Sequence, residues 1–169
     1  ARRLTDELAA KVRERLKDFI FAETDVSLPE VVVAGLRERG LTLAVAESCT
    51  GGGLGNQVTS VPGSSEVFLG GVIAYANSVK TGILGVREAT LKRHGAVSEA
   101  TAAEMAAGAR KLCGAAIGLA VTGIAGPGGD NPKKPVGLVY MHLSAENYEK
   151  GIRQIFTGSR EVIKLRSEY

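Results

Sequence analysis

The sequence predicts an α/β domain, a three-layer α/β/α sandwich around a mixed, largely parallel sheet, and three observations lead there. Apolar runs of strand length, bounded by glycine, are interspersed with amphipathic helical stretches, as in layered α/β chains. The apolar content rests on Ala and Gly, with 22 Gly, no Trp and only 4 Phe and 4 Tyr, which favours close helix-on-sheet packing over aromatic clusters. A chain of 169 residues suffices for one real core, because at roughly 150 residues folding hides about 68–70% of the unfolded surface.

Each element has its own local signal. Leu4, Leu8, Val12, Leu16 and Ile20 recur at steps of four among charged residues, predicting an amphipathic helix that serves as a docking helix or a linker. Ser27-Leu28-Pro29-Glu30 has the spacing of a capping box, and Gly40 can close the helix that follows over 28–39. The run 41–46 is apolar apart from Thr42 and reads as a buried strand. A short helix near 54–58, a turn at Pro62-Gly63 and a strand over 68–75 come next. Ser78 is expected to cap a short helix carrying Lys80, with a second short helix ending at His94 and stopped by Gly95. Ser98 caps the clearest helix, whose Ala102, Met105, Ala106, Ala109, Leu112 and Cys113 trace one buried face. Strands over 115–121, 136–143 and 151–156 and a helix begun by Ser159 complete the chain. That helix meets no stop signal and the chain begins with Ala, so both ends are expected to be cut from a longer protein.

Composition narrows the function classes. The formal net charge is +3, with basic and acidic residues interleaved rather than gathered in a stripe, so nucleic acid is an unlooked-for partner. No apolar run approaches the roughly 18–20 residues of a spanning helix, and the amino end does not resemble a signal segment, so a cytoplasmic protein without a membrane role is expected. Cys49 and Cys113 lie in apolar or small-residue surroundings without a CxxC or a nearby His, which predicts reduced thiols and no metal site. His94 and His142 read as structural or surface residues. Oligomeric state is open, a homo-oligomer included.

Three constellations carry chemistry. Glu47-Ser48-Cys49-Thr50-Gly51-Gly52-Gly53 runs from a strand through a glycine turn into a helix, where a serine hydroxyl sits among backbone N–H groups able to meet an oxyanion or a phosphate. The same glycines also permit a plain tight turn with Ser48 or Thr50 as an ordinary cap. Tyr75 and Lys80 lie at a second strand exit. Free lysine, with a pKa near 10.4, is a poor base at neutral pH, so a catalytic Lys80 needs its ammonium destabilised by burial or by a helix dipole; a solvated lysine beside a core tyrosine is the alternative. Thr122-Gly123-Ile124-Ala125-Gly126-Pro127-Gly128-Gly129 follows another buried strand, and two such loops at strand carboxyl ends can face one pocket. Cys49 rivals Ser48 as nucleophile, without a histidine spaced to make it a thiolate.

In this order, AESCTGG, GGVIAYANSVK, GAVSEATAAEMAAGAR, TGIAGPGG and KPVGLVY resemble the carboxyl-terminal domain of the CinA competence/damage-inducible family, the nicotinamide-nucleotide amidohydrolase module. The resemblance covers residues 28–169 and leaves 1–27 as an amino-terminal helix and linker. It implies hydrolysis of the carboxamide of nicotinamide mononucleotide, in pyridine nucleotide recycling, to nicotinic acid mononucleotide and ammonia, without metal or cofactor. The family's catalytic serine, tyrosine and lysine fall on Ser48, Tyr75 and Lys80, with Tyr75 relaying a proton or orienting the pair. Backbone around Cys49, Thr50, Gly51 and Gly52 would meet the oxyanion. Thr122, Gly123, Gly126, Gly128 and Gly129 would hold the nucleotide, with Arg160 at its phosphate. The chain departs from the family at Ser159, where an acidic residue usually precedes the arginine. Longer members carry an amino-terminal pyrophosphatase-type domain that this sequence lacks.

Two other classes stand beside this one. In a nucleotide-binding regulatory module tied to competence or DNA damage, the glycine loops would hold phosphate without chemistry. A competence or repair partner that docks on protein or DNA would need a basic or aromatic surface that the sequence does not display. The Ser/Lys reading expects Ser48 Oγ within hydrogen-bond reach of Lys80 Nζ, directly or bridged by Tyr75 or a water.

Overall fold

The computed structural model describes residues 2–169, with the side chains of 2–4 and 18, and hence Leu4 of the expected stripe, outside that description. Helix α1 (Arg2–Leu16) continues into a 3-10 turn at Lys17–Phe19. Its Leu8, Val12 and Leu16 remain about half exposed. Helix α2 (Leu28–Glu38) starts on the expected capping box, Ser27 accepting from the Glu30 amide and Glu30 from that of Ser27. It ends with Gly40 at φ +62 and with Leu41 N–H donating to Leu36 O, which satisfies carbonyls the helix end would otherwise leave bare.

Strand β1 (Leu43–Glu47) is buried along its whole length, as its continuous apolar run requires. Helix α3 (Gly53–Thr59) and strand β2 (Phe68–Ile73) follow. β2 stops two residues short of the expected Tyr75, because the Ala74 and Tyr75 carbonyls turn inward to another partner. Helix α4 (Asn77–Gly82) starts two residues earlier than a cap at Ser78 would place it. Its N-cap is the extended Ala76, whose carbonyl accepts from Val79 and Lys80, so Ser78 already sits inside the first turn and caps nothing.

Helix α5 (Glu88–His94) stops at Gly95, φ +75, and α6 (Glu99–Cys113) starts on Ser98, whose hydroxyl accepts from Thr101 N–H. Ala102, Met105, Ala106 and Ala109 are fully buried on the expected face, but Leu112 is 55% exposed; Cys113 continues the face in the last turn and is half-buried. Strands β3 (Ile117–Gly123), β4 (Leu138–Ala145) and β5 (Tyr148–Ile155) lead to α7 (Arg160–Arg166), capped as expected by Ser159. β5 begins three residues before the sequence-based estimate, because β4 and β5 form a hairpin paired from Ala145 and Tyr148 onward.

The sheet order is β2-β1-β3-β4-β5. β2, β1 and β3 are parallel, and β4 and β5 extend the sheet antiparallel from β3. One face packs Leu43, Val45, Val121 and Val139 against Val33 and Leu36 of α2, Leu54 and Val58 of α3 and Ile163 of α7. The opposite face packs Ala44, Ala46 and Ala120 against Met105, Ala106 and Ala109 of α6, with Leu84 and Val86. These are the three layers of the α/β/α sandwich.

The small residues let backbones touch across the second interface. A Cβ on Gly118 would lie 2.1 Å from Ala106 O, and one on Gly108 would lie 2.0 Å from Leu84 O. Neither neighbour is a side chain that can swing aside. Gly118→Ala is therefore expected to destabilise the domain by about 1–3 kcal/mol through overpacking. Gly82→Ala, whose Cβ meets nothing within 4 Å, is the matched control and should be neutral or slightly stabilising in chemical denaturation.

Candidate active site

Parallel β1, β2 and β3 end side by side, so their exits share one rim of the sheet. At the end of β1 the chain must turn at once into α3, whose first amides have no partner within the helix. Glu47 supplies one. Its carboxylate is 2% exposed and accepts from Gly52 N–H at 2.9 Å, Leu54 N–H at 3.0 Å and Gly55 N–H at 2.8 Å. Gly51 and Gly52, at φ +67 and +104, permit the tight course around it. Glu47 has no expected role in the sequence, although an acid ending a buried strand three residues before a Thr-Gly-Gly-Gly turn is a cap signal of a kind.

The turn carries Ser48 on its inner side, with Ser48 N–H donating to Val121 O of β3 at 3.0 Å. Lys80, from α4, is 1% exposed. Its Nζ lies 3.1 Å from Ser48 Oγ, 2.5 Å from Ala74 O and 3.2 Å from Tyr75 O. Carbonyl oxygens only accept. A neutral amine therefore spends its two N–H groups on Ala74 and Tyr75 and turns its lone pair to Ser48, whose O–H then donates. The ammonium form instead donates to all three oxygens. Burial pushes the Lys80 pKa below its ordinary value, with the neighbouring Cys49 acting against the shift.

The other expected residues take varied positions. Tyr75 presents its main-chain carbonyl to Lys80, while its side chain is 63% exposed and its hydroxyl accepts from Arg160 Nη2 at 3.2 Å. Arg160 also donates through Nη1 to Gly126 O at 2.7 Å, so α7 bridges the exits of β2 and β3. Thr122 is fully buried, and its hydroxyl is committed to Ala96 O at 2.8 Å. Gly123 adjoins the serine turn, a Cβ there lying 3.1 Å from Cys49 Sγ. Gly126, buried at φ +78, precedes a cis peptide to Pro127, and Gly128 and Gly129 are exposed on the loop that follows. Gly52 N–H belongs to Glu47, so of the four residues expected to line an oxyanion site this one has its amide engaged. Thr50 is buried, and among the described residues its Oγ1 has no partner. Lys164 lies near Gly51, a Cβ there falling 3.9 Å from its Nζ; the sequence held no signal for this contact.

Cys49 is buried, and burial pushes its thiol up to about 11, against hydrogen bonds to the sulfur from its own and the Thr50 amide. Cys49 and Cys113 are both free. Among the described residues no group of three or more His, Cys, Asp and Glu could hold a metal ion. His142, 8% exposed, pairs through Nε2 with Glu149 at 2.7 Å, away from the serine turn. Among the described residues no helix is long and apolar enough to cross a membrane.

Five ordered motifs and this constellation invite comparison with known proteins. The family described as the CinA C-terminal domain matches residues 25–168. The chain belongs to the CinA C-terminal domain family. A CinA-like protein of Thermotoga maritima is 50% identical over 162 residues, covering 96% of this chain and 40% of that protein. A putative competence-damage inducible protein of Moorella thermoacetica is 50% identical over 167 residues, covering 99% of this chain and again 40% of the relative. The chain thus spans about two fifths of the length of these curated relatives. Among solved structures, the competence/damage inducible protein CihA from Agrobacterium tumefaciens superposes with a TM-score of 0.81 at 39% identity, over 83% of this chain and 87% of that one. A CinA superfamily protein from Klebsiella pneumoniae does so with a TM-score of 0.81 at 35% identity, over 83% and 88%. The α/β sandwich is therefore the architecture of the CinA superfamily.

Two outcomes test this site without reference to a substrate. Glu47→Ala strands three amides and should lower stability by about 3 kcal/mol or more, read from the urea midpoint, with Glu47→Gln keeping part of the loss back. Cys49, protonated in all but about one molecule in a thousand at pH 8, should be alkylated by iodoacetamide far more slowly than glutathione.

Proposed function

We propose that this CinA-family domain is a metal-independent amidohydrolase that cleaves the carboxamide of nicotinamide mononucleotide, with Ser48 as nucleophile and Lys80 as base. The observation that carries the reading is the 3.1 Å contact between Ser48 Oγ and a buried Lys80 Nζ whose other two contacts are carbonyl oxygens. Burial shifts such a lysine toward its neutral form and, once neutral, it directs its lone pair at the serine proton.

Lys80 takes the Ser48 proton as Oγ attacks the carboxamide carbon, and the carbonyl oxygen becomes an oxyanion. The amides of Cys49 and Thr50, next to Ser48 in the glycine turn, are suited to receive it. The Lys80 ammonium returns its proton to the leaving nitrogen, which departs as ammonia and leaves a nicotinoyl ester on Ser48. Water then attacks the ester with Lys80 again as base, and the nicotinate product and free serine result. Arg160 and Lys164 supply positive charge beside the Gly126 and Gly51 turns, where a substrate phosphate would be held. Gly123, Gly128 and Gly129 would leave room for the nucleotide, while Thr122 contributes by holding the loop rather than by touching it. We assign the activity to pyridine nucleotide recycling in the cytoplasm.

Ammonia release from nicotinamide mononucleotide tests the reading. Ser48→Ala should abolish turnover, Lys80→Met should lower kcat by about 10²–10⁴-fold, and Cys49→Ala should keep it. Turnover by Ser48→Ala at the wild-type rate would remove the proposal. So would tight mononucleotide binding with no hydrolysis by the wild type, which selects a regulatory module. Because the base must be neutral and its pKa is lowered, kcat/KM should rise with pH and level off at a pH below the ordinary lysine value. Tyr75→Phe keeps the carbonyl that holds Lys80 and should cost less than about tenfold in kcat, in contrast with a relay through the hydroxyl.

A further inference from the structure

The chain between β3 and β4 is a fourteen-residue excursion from an antiparallel pair, long for a hairpin and rich in glycine, yet held at fixed points. At its stem, Ile124 N–H donates to Leu138 O at 2.9 Å and Gly137 N–H to Ile124 O at 2.7 Å. On one side Arg160 holds Gly126 O. On the other the loop folds on itself at 131–134. Asn131 and Lys134 exchange backbone hydrogen bonds at 3.0 Å, and Asn131 Oδ1 accepts from Lys133 and Lys134 N–H at 3.0 and 3.1 Å.

That fold aims the Lys134 side chain away from the loop. Its Nζ donates to His94 O at 2.5 Å and to Val97 O at 2.6 Å, in the corner between α5 and α6. Gly95 makes room for it, since a Cβ there would fall 3.1 Å from the ammonium. All four carbonyls of the corner are met by side chains. His94 and Val97 accept from Lys134, Gly95 from Ser98 at 3.2 Å and Thr101 at 2.7 Å, and Ala96 from Thr122 at 2.8 Å. An ammonium with two backbone acceptors there makes two charge-assisted bonds, each about twice the strength of a neutral one.

We infer that Lys134 is a positioning residue, whose two bonds to the α5–α6 corner fix the Gly126–Gly129 loop beside the Ser48 turn so that it is preorganised for substrate. The Lys134 ammonium and Arg160 hold opposite sides of the loop, and the exposed Gly128 and Gly129 lie between the two anchors. Without Lys134 the loop keeps its stem and the Arg160 contact but loses its second anchor. The inference rests on the amidohydrolase reading for its kinetic consequence but not for its structural one.

Hydrogen exchange and steady-state kinetics of the whole chain test it in wild type, Lys134→Met and Lys134→Arg. Lys134→Met should speed exchange at the amides of 125–131 while leaving those of β1 and α6 protected, and should raise KM for nicotinamide mononucleotide about tenfold. Its kcat should stay within about threefold, because Ser48 and Lys80 are untouched. Lys134→Arg, which keeps the charge and the donors, should recover most of both effects. Unchanged loop exchange in Lys134→Met, or acceleration spread equally over the sheet, would overturn the inference. A wild type that does not hydrolyse the mononucleotide counts against the amidohydrolase reading alone, and the exchange comparison still decides whether Lys134 anchors the loop.

Discussion

Glu47 ends β1 with its carboxylate almost wholly removed from water, where an uncompensated charge would cost several kcal/mol. Three amides of the following turn offset that cost by pointing at its two oxygens. The turn can do so only by wrapping closely around the carboxylate, which is why glycines with positive φ occupy positions 51 and 52. The same wrapping sets Ser48 against β3 and carries α3 onto the face of the sheet that α2 and α7 also cover. One buried charge thus couples the end of a strand, the start of a helix and the orientation of the serine.

Lys80 shows the opposite use of burial. Its amine is as inaccessible as Glu47, but among the described residues no carboxylate pairs with it; its partners are two carbonyls and a hydroxyl. Carbonyls support an ammonium poorly compared with an anion, and exclusion of water does the rest, so the charged form is disfavoured. β2 ends before Tyr75 because the carbonyls of Ala74 and Tyr75 are needed for this purpose. Cys49, next in sequence to the serine, is driven the other way by the same dry surroundings and stays a thiol. The same burial therefore lowers the pKa of the amine beside the serine and raises that of the neighbouring thiol.

Small side chains underlie both arrangements. Gly108 and Gly118 let α6 lie directly against Leu84 and β3, drawing the α5–α6 corner close enough for Thr122 and Lys134 to reach it. The residue expected to touch nucleotide, Thr122, is consumed in that corner, and Lys134, which carried no expected role, joins it there. The second glycine loop is in this way tied to the packing of α6, while Arg160 ties it to α7 and to Tyr75.

Helix starts at Ser27, Ser98 and Ser159, stops at Gly40 and Gly95, the buried runs of β1 and β3 and the small-residue face of α6 were all legible in the sequence. Caps, periodicity and left-handed glycines act between residues a few positions apart, so the local sequence by itself determined these elements and hence the α/β class. The glycine turn around Ser48 was legible for the same reason, and ordered motifs across most of the chain marked the CinA family. Tertiary structure alone decided which partners meet. Lys80 lies 32 positions from Ser48 and Lys134 lies 40 from His94, and no periodicity spans such distances. It also decided that Tyr75 offers its carbonyl rather than its hydroxyl to Lys80, and that Leu112 faces out. Those outcomes depend on which groups are shut away from water together, and that is a property of the packed layers rather than of any segment of the chain.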